Sequence, residues 1–160
     1  MPQPRDLLMQ VMDSRKDSSA ASAGSILVTR LMMRGAARVV TDGGFRDSPE
    51  IAELDFPAYH NRPSAPTNLT HNQALHLNVP IGCGDVPVFP GDVVVGDGEG
   101  VVVIPAQLAA EIAAEATEMT LFEDFVIEKV RDGRSILGLY PATDEQIRTD
   151  FAAWRRDRGR

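Results

Sequence analysis

Arg46 and Asp47 are the residues of this chain whose types and spacing best fit a chemical role. They follow two glycines in Thr41-Asp42-Gly43-Gly44-Phe45-Arg46-Asp47-Ser48-Pro49, between the apolar run Ala36 to Val40 and a helix-start signal. The stretch therefore reads as a strand-to-helix loop able to present side chains. Glycine allows backbone conformations and close ligand approach that a side chain would block. Neighbouring residues on an extended or turning backbone point different ways, so the guanidinium and the carboxylate need not neutralise each other. One can hold an anionic substrate while the other holds a cation. The competing reading is a solvated surface turn, and loops rich in Gly and Asp are often just that.

Other chemistry has weaker support. The chain contains no HExxH, CxxC, GxSxG or Walker pattern, and His60, His71 and His76 lack the spacing of a helical zinc site. Cys83, between Gly82 and Gly84, has no assignable histidine partner and reads as a small buried residue. Asp42, Asp47, Asp85, Asp92, Asp97 and Glu99 all lie near glycines. Carboxylates without histidine or thiolate suit a hard cation such as Mg²⁺. For most of them a turn carboxylate bonding its own backbone is the simpler expectation. Asp47 stands apart because Arg46 adjoins it.

The elements that must position the loop follow from periodicity. The patch Leu7 to Met12 reads as one strand ending at Asp13. From Gly24 a helix is expected, with Ile26, Leu27 and Leu31 on its apolar face, Arg30 and Arg34 off it, and Gly35 as its stop. Strand Ala36 to Thr41 leads into the loop. Ser48 as N-cap with Pro49 at the first helical position starts a short helix to about Leu54. Phe56 to His60 reads as a short strand and Asn61 to Asn72 as an irregular loop. Short strands are then expected at Leu75 to Val79, Pro80 to Cys83, Val86 to Phe89, Val93 to Val95 and Val101 to Ile104, which suggests a compact barrel or a tightly bent mixed sheet. The run Gly96-Asp97-Gly98-Glu99-Gly100 precedes a strand, so it predicts a hairpin turn and not a phosphate cradle. Pro105 opens a long helix to about Arg131, striped by Leu108, Ile112, Met119, Phe122, Val126 and Val130. A last helix begins at Thr143, with Thr143-x-x-Gln146 as a capping box and Ile147, Phe151 and Trp154 on one face.

Length and composition set the frame. A chain of 160 residues, 43% hydrophobic and 24% charged, is expected to be one globular domain, 1–160, with 143–160 forming a C-terminal helix and tail. The net charge of -7 argues against a nucleic-acid surface. One cysteine, no secretory leader pattern and no apolar run of membrane-spanning length make the cytoplasm the default and a membrane partner unexpected.

Several blocks together resemble a known family. These are Gly24-Ser25-Ile26-Leu27, Arg34-Gly35-Ala36-Ala37, Val39-Val40-Thr41-Asp42-Gly43-Gly44-Phe45-Arg46-Asp47, Phe89-Pro90-Gly91-Asp92-Val93-Val94-Val95-Gly96-Asp97 and Gly100-Val101-Val102-Val103-Ile104-Pro105. In this order they resemble the RraA-like family, which includes 4-hydroxy-4-methyl-2-oxoglutarate aldolases and proteins once labelled dimethylmenaquinone methyltransferases. The resemblance implies an α/β/β sandwich of the swivelling-domain type. It also implies homotrimers or hexamers with sites between subunits.

In the aldolase branch the motif is an Asp, twenty residues, then Arg-Asp. Matched here, the resemblance implies that Arg46 binds the pyruvoyl oxygens of a small 2-oxo acid and that Asp47 holds Mg²⁺ or another divalent cation such as Mn²⁺. Gly24, Ser25, Ile26 and Leu27 would line the substrate carboxylate, and an acid from a neighbouring subunit, Glu118 or Glu123, would complete the site. The implied activity is that of a lyase: retro-aldol cleavage or decarboxylation, releasing pyruvate through a metal-stabilised enolate. The first Asp of the motif falls on Ser25, and a serine hydroxyl is no base near neutral pH. Only nine residues precede Gln10 where the family carries more chain, so a member short at its N-terminus is expected. The rival reading implied by the same family is a non-catalytic regulator of ribonuclease activity, with Arg155, Arg156, Arg158 and Arg160 as a candidate contact. A methyltransferase is a third reading, weakened because no Gly-rich strand-to-helix cofactor turn is present.

Overall fold

A computed structural model describes residues 8–159. Leu7, first in the expected opening strand, and Arg160, last of the C-terminal arginines, lie outside the described residues. The chain falls into two compact units, a mixed α/β unit ending at Ala106 and a helical unit beginning at Gln107.

The first unit interleaves two parallel sheets. Strands β1 (Met9–Met12), β3 (Arg38–Thr41) and β5 (Ala58–Tyr59) form one, in the order β1-β3-β5. Strands β2 (Ala21–Ala23), β4 (Gly44–Phe45) and β6 (Arg62–Pro63) form the other, in the order β2-β4-β6. Each extended segment serves the first sheet and then passes to the second, so Asp42 and Gly43 mark the place where one chain changes sheets. The small residues of β2 carry no apolar alternation, and sequence reasoning missed that strand. Helix α1 (Ser25–Met33) follows β2, and the short α2 (Ser48–Ala52) follows β4.

The core of this unit gathers Ala23, Val28, Val39, Phe45, Ile51 and Phe56, with Leu31 and Met32 packed against it. This corrects the apolar face expected for α1. Val28 is wholly buried, whereas Ile26 is 87% and Leu27 43% exposed. The triplet Val28, Leu31, Met32 has the same i, i+3, i+4 spacing as any other choice. What selects it is the set of partners it meets, Val39, Phe45, Ile51 and Phe56.

Beyond Leu75 the expected strand Leu75 to Val79 is absent. No strand among the described residues pairs with it, and Leu75 and Leu77 are 77% and 83% exposed. Alternation alone does not hold a strand without a ladder partner. The later pairs form as expected. Strand β7 (Ile81–Cys83) runs antiparallel to β8 (Val86–Val88) across Gly84 and Asp85, both at positive φ, the geometry of a two-residue hairpin. Strand β9 (Val93–Gly96) pairs with β10 (Val101–Ile104), and Asp97 closes the turn by accepting the N–H groups of Glu99 and Gly100. The four sheets are short, and none closes into a barrel among the described residues. Gly or Pro closely follows several of the strands, as Gly24 does β2, Gly84 β7 and Pro105 β10.

The helical unit pairs α3 (Ala109–Arg131) with α4 (Glu145–Asp157) around Phe125, Val126, Leu139, Ile147 and Trp154, with Phe122 and Phe151 against them. Phe122 meets Phe151 edge to face at 5.2 Å, a favoured aromatic arrangement. The expected stripe on the long helix is only half used, since Leu108, Met119 and Val130 are 41%, 59% and 42% exposed. The 13 residues of α4 reach only about 20 Å along a helix axis, too short to cover the longer α3. The cap of α4 also moves by one residue. Asp144, not Thr143, is the N-cap, in extended conformation with its carboxylate accepting the Gln146 N–H at 3.0 Å. No helix among the described residues is long and apolar enough to cross a membrane.

Gly43 is required by packing. A Cβ there would sit 2.6 Å from Ser22 Oγ and 2.7 Å from Ser14 Cβ. Gly43→Ala is therefore expected to lower stability by about 1–3 kcal/mol, read as a lower urea midpoint. An unchanged midpoint would show that the sheet crossing has slack.

Candidate functional site

The parallel pairing of β2 with β4 sets Ala21 beside Gly44 and Ala23 beside Phe45. Both strands therefore end at the same edge, and a helix starts from each end. The carboxyl ends of parallel strands are where open α/β sheets place ligands. Here that edge carries Gly24-Ser25 from one strand and Arg46-Asp47 from the other.

The contacts are direct. Asp47 Oδ2 accepts the Ser25 N–H and the Ser25 hydroxyl, both at 3.2 Å, and Asp47 Oδ1 accepts Arg46 Nε–H at 3.3 Å. The Arg46 N–H donates to Ala23 O at 3.0 Å, which ties the arginine backbone to β2. Asp47 has a left-handed backbone, φ 56 and ψ 35, and its carbonyl accepts the first α2 bond from Ile51. Asp47, not Ser48, is thus the residue at the α2 N-cap. A non-glycine residue in this conformation is uncommon and tends to occur at functional turns. Gly24 is needed beneath the pair, because a Cβ there would approach Asp47 Oδ2 to 2.8 Å and Arg46 Cγ to 2.9 Å. On the core side, wholly buried Phe45 stacks on His60 at 5.2 Å.

The electrostatics follow from these bonds. The Ser25 N–H, with Arg46 beside it, holds the Asp47 carboxyl below the usual carboxylate range, against a partial loss of solvent that pulls the other way. The side chains of Arg46 and Asp47 remain 42% and 31% exposed, so ligand can reach both. The first intrahelical bond of α1 is Val28 N–H to Gly24 O, so the Ile26 and Leu27 amides precede the helical ladder.

Asp47 supplies one ionised carboxylate with a hydroxyl beside it. Mg²⁺ commonly keeps several waters and takes one or two protein carboxylates, so this donor set fits Mg²⁺ or Mn²⁺ completed by water and substrate. Among the described residues, no group of three or more His, Cys, Asp or Glu side chains could form a protein cage for a metal. Burial and the nearby Asp42 push the thiol of half-buried Cys83 up to about 11, which disfavours the thiolate that nucleophilic chemistry uses. Glu118 and Glu123 lie on α3 in the helical unit, where Arg155 holds the first at 2.6 Å and the Tyr140 hydroxyl donates to the second at 2.8 Å.

Asp42 was expected to be a turn carboxylate bonding its own backbone, and it is not. It accepts N–H groups from Ser14 at 2.7 Å, Lys16 at 3.1 Å and Gly84 at 3.2 Å, all distant in sequence. Behind it the hydroxyls of Ser14, Ser22 and Thr41 bond in a chain of 2.6 and 2.7 Å, and Thr41 Oγ1 also accepts the Gly43 N–H at 3.0 Å. No sequence spacing signals this network, because its members meet only through sheet pairing. Asp97 does behave as a turn carboxylate, and Asp92 does so with one oxygen while the other accepts the Ala106 N–H at 3.1 Å.

A pH dependence follows. A carboxylate whose folded-state pKa is depressed stabilises the fold above its unfolded value, and that stability is lost as pH falls through the folded value. Asp47 should therefore titrate, by carboxyl ¹³C NMR, below an ordinary aspartate. Arg46→Ala should move its midpoint upward, and no upward movement would show that Arg46 does not act on this carboxylate.

Comparison with known proteins shows which family the chain belongs to. Residues 1–103 match the model of the RraA-like family, described as Aldolase/RraA. A Halalkalibacterium halodurans protein carrying the provisional name 4-hydroxy-4-methyl-2-oxoglutarate aldolase is 36% identical over 102 residues, 64% of this chain and 47% of that protein. The chain spans about half the length of the curated relatives it matches. Among solved structures, an uncharacterized protein from Pseudomonas syringae pv. tomato superposes with a TM-score of 0.77 at 25% identity, covering 82% of this chain and 66% of that one. A Streptomyces coelicolor protein, described as an unusual member of the RNase ES inhibitor RraA protein family, gives 0.65 at 28% identity over 78% of this chain and 70% of that one. The paired strand ends carrying Ser25, Arg46 and Asp47 thus sit in a chain that belongs to the RraA-like family.

Proposed function

We propose that this chain serves a divalent-metal-dependent carbon–carbon lyase that releases pyruvate from a small 2-oxo acid, working in the cytoplasm as a homotrimer or hexamer. The observation that carries the reading is the solvent-accessible Arg46-Asp47 pair beside the first turn of α1. The provisional aldolase name of the Halalkalibacterium relative supports the same class.

A 2-oxo acid presents a carboxylate next to a ketone. Arg46 suits that carboxylate, since a guanidinium offers a planar fork of donors. The Ile26 and Leu27 amides, at the positive end of the helix, favour the same anion. A cation held by Asp47 would lend positive charge to the enolate left when the carbon–carbon bond breaks. Arg46 contributes a second fixed charge that needs no reorganisation during the reaction. The depressed pKa of Asp47 keeps it ionised, which suits cation binding and makes it a poor proton carrier near neutral pH.

The second reading, a regulator acting on ribonuclease by protein contact, draws on the description of the Streptomyces structure. Two of the C-terminal arginines are engaged within the helical unit. Arg155 is paired with Glu118, while Arg158 is paired with Glu128 and lies 4.6 Å over the Trp154 ring.

Pyruvate release from a panel of 2-oxo acids, followed with lactate dehydrogenase and NADH, should require Mg²⁺ or Mn²⁺ and stop on chelation. Arg46→Ala and Asp47→Ala should each lower it by at least about 100-fold. Variants that turn over like the parent, or a parent inert on the whole panel, would remove the lyase reading.

A further inference from the structure

We infer that the cleft beside α2 is a second ligand site, one that takes a small organic amine: a protonated amino group on a compact apolar body. It is separate from the paired strand ends that carry Ser25, Arg46 and Asp47, and it does not rest on the lyase reading.

The cleft measures about 390 Å³, within the size range of small-molecule sites. Its lining comes from one continuous stretch, Ser48 to His60, which holds α2 and the turn into β5. The floor belongs to the core. Ile51 and Phe56 are 5% and 6% exposed and share a cluster with Val39 and Phe45. Leu54 and Pro57 extend the apolar wall. A floor fixed by core packing is preformed, so a ligand does not have to order it.

The polar groups of the lining select the kind of ligand. They are the Ser48 hydroxyl, the Asp55 carboxylate and the His60 imidazole, with no Lys or Arg among them. From Ser48 to His60 the chain carries Glu50, Glu53 and Asp55 and no basic residue. Asp55 makes no ion pair among the described residues. An anion, including the 2-oxo acid suited to Arg46, meets a carboxylate here without a counter-charge, whereas an ammonium is attracted. A bare metal ion would leave the apolar walls uncovered. An organic body buries them.

His60 points the same way by an independent route. Its Nδ1 is shut off from solvent and has no hydrogen-bond partner among the described residues. Buried polar atoms are nearly always bonded, so an orphan of this kind calls for a reason. The ring is held by its stack on Phe45, at 5.2 Å and 26°. A half-turn about Cβ–Cγ keeps the ring in its plane and exchanges its two edges, so the nitrogen has a second position with the stack intact. Neutral imidazole offers one acceptor, and an ammonium offers three donors. One amino group can therefore serve Asp55, His60 and the Ser48 hydroxyl together.

Benzylamine carries this chemistry in a small form, and benzoate is the anion of the same size. On the full ¹⁵N-labelled chain, benzylamine should shift the Ile51, Leu54 and His60 amides saturably, with a Kd on the order of 1 mM, in keeping with so few atoms. Benzoate at the same concentration should leave these amides unmoved. Asp55 is exposed, so Asp55→Asn should fold and weaken benzylamine by about tenfold, the loss of a charge-assisted bond. His60→Phe keeps a ring against Phe45 and removes the acceptor, which should weaken binding by about fivefold. The inference is overturned by the absence of a saturable shift at these amides, by an equal response to benzoate, or by an unchanged Kd in either variant. If His60→Phe does not fold, the benzoate comparison and Asp55→Asn decide.

Discussion

The first unit depends on the parallel pairing of β2 with β4. Two strands of two or three residues form a weak element by themselves, yet their register decides which helix starts become neighbours. With Ala23 beside Phe45, the next residues along each chain are Gly24-Ser25 and Arg46-Asp47, and the carboxylate can span the gap. A slip of one residue would turn the side chains to the opposite face. The register is held by the wholly buried Phe45, by the Arg46 N–H to Ala23 O bond and by glycines where a Cβ would strike the opposing segment.

Small residues accomplish here what charged networks do elsewhere. Gly24, Gly43 and Gly44 each face an atom that a methyl group would overlap. Their role is close approach more than backbone freedom, since none of the three needs a positive φ. The one unusual backbone at the site belongs to Asp47 itself. Its left-handed conformation turns the chain into α2 while directing the carboxylate back at α1.

Much of this organisation was legible in the sequence because it depends on local signals. The helix after Gly24, the strand before Thr41, the Asp97 hairpin and the long helix ending near Gly133 all follow from periodicity and turn chemistry. The Arg46-Asp47 loop stood out through its glycines and paired charges, and the motif blocks placed Ser25 opposite it. What escaped has a common cause. The Ala21–Ala23 strand has no hydrophobic pattern, the buried face of α1 depends on core partners distant in sequence, and the Leu75 to Val79 alternation lacks a partner. The Asp42 bonds join segments 28 and 42 residues away. Each of these is settled by long-range pairing that no local window records.

The Asp42 carboxylate carries a consequence for motion. Its two oxygens receive amides from the segment after β1 and from the β7–β8 turn, while its backbone is the hinge between β3 and the Arg46-Asp47 loop. Opening the β7–β8 hairpin releases the Gly84 bond that helps hold Asp42, the residue at the head of the stretch that carries Arg46 and Asp47. Through that one carboxylate the position of a distant turn bears on the stretch leading to α2.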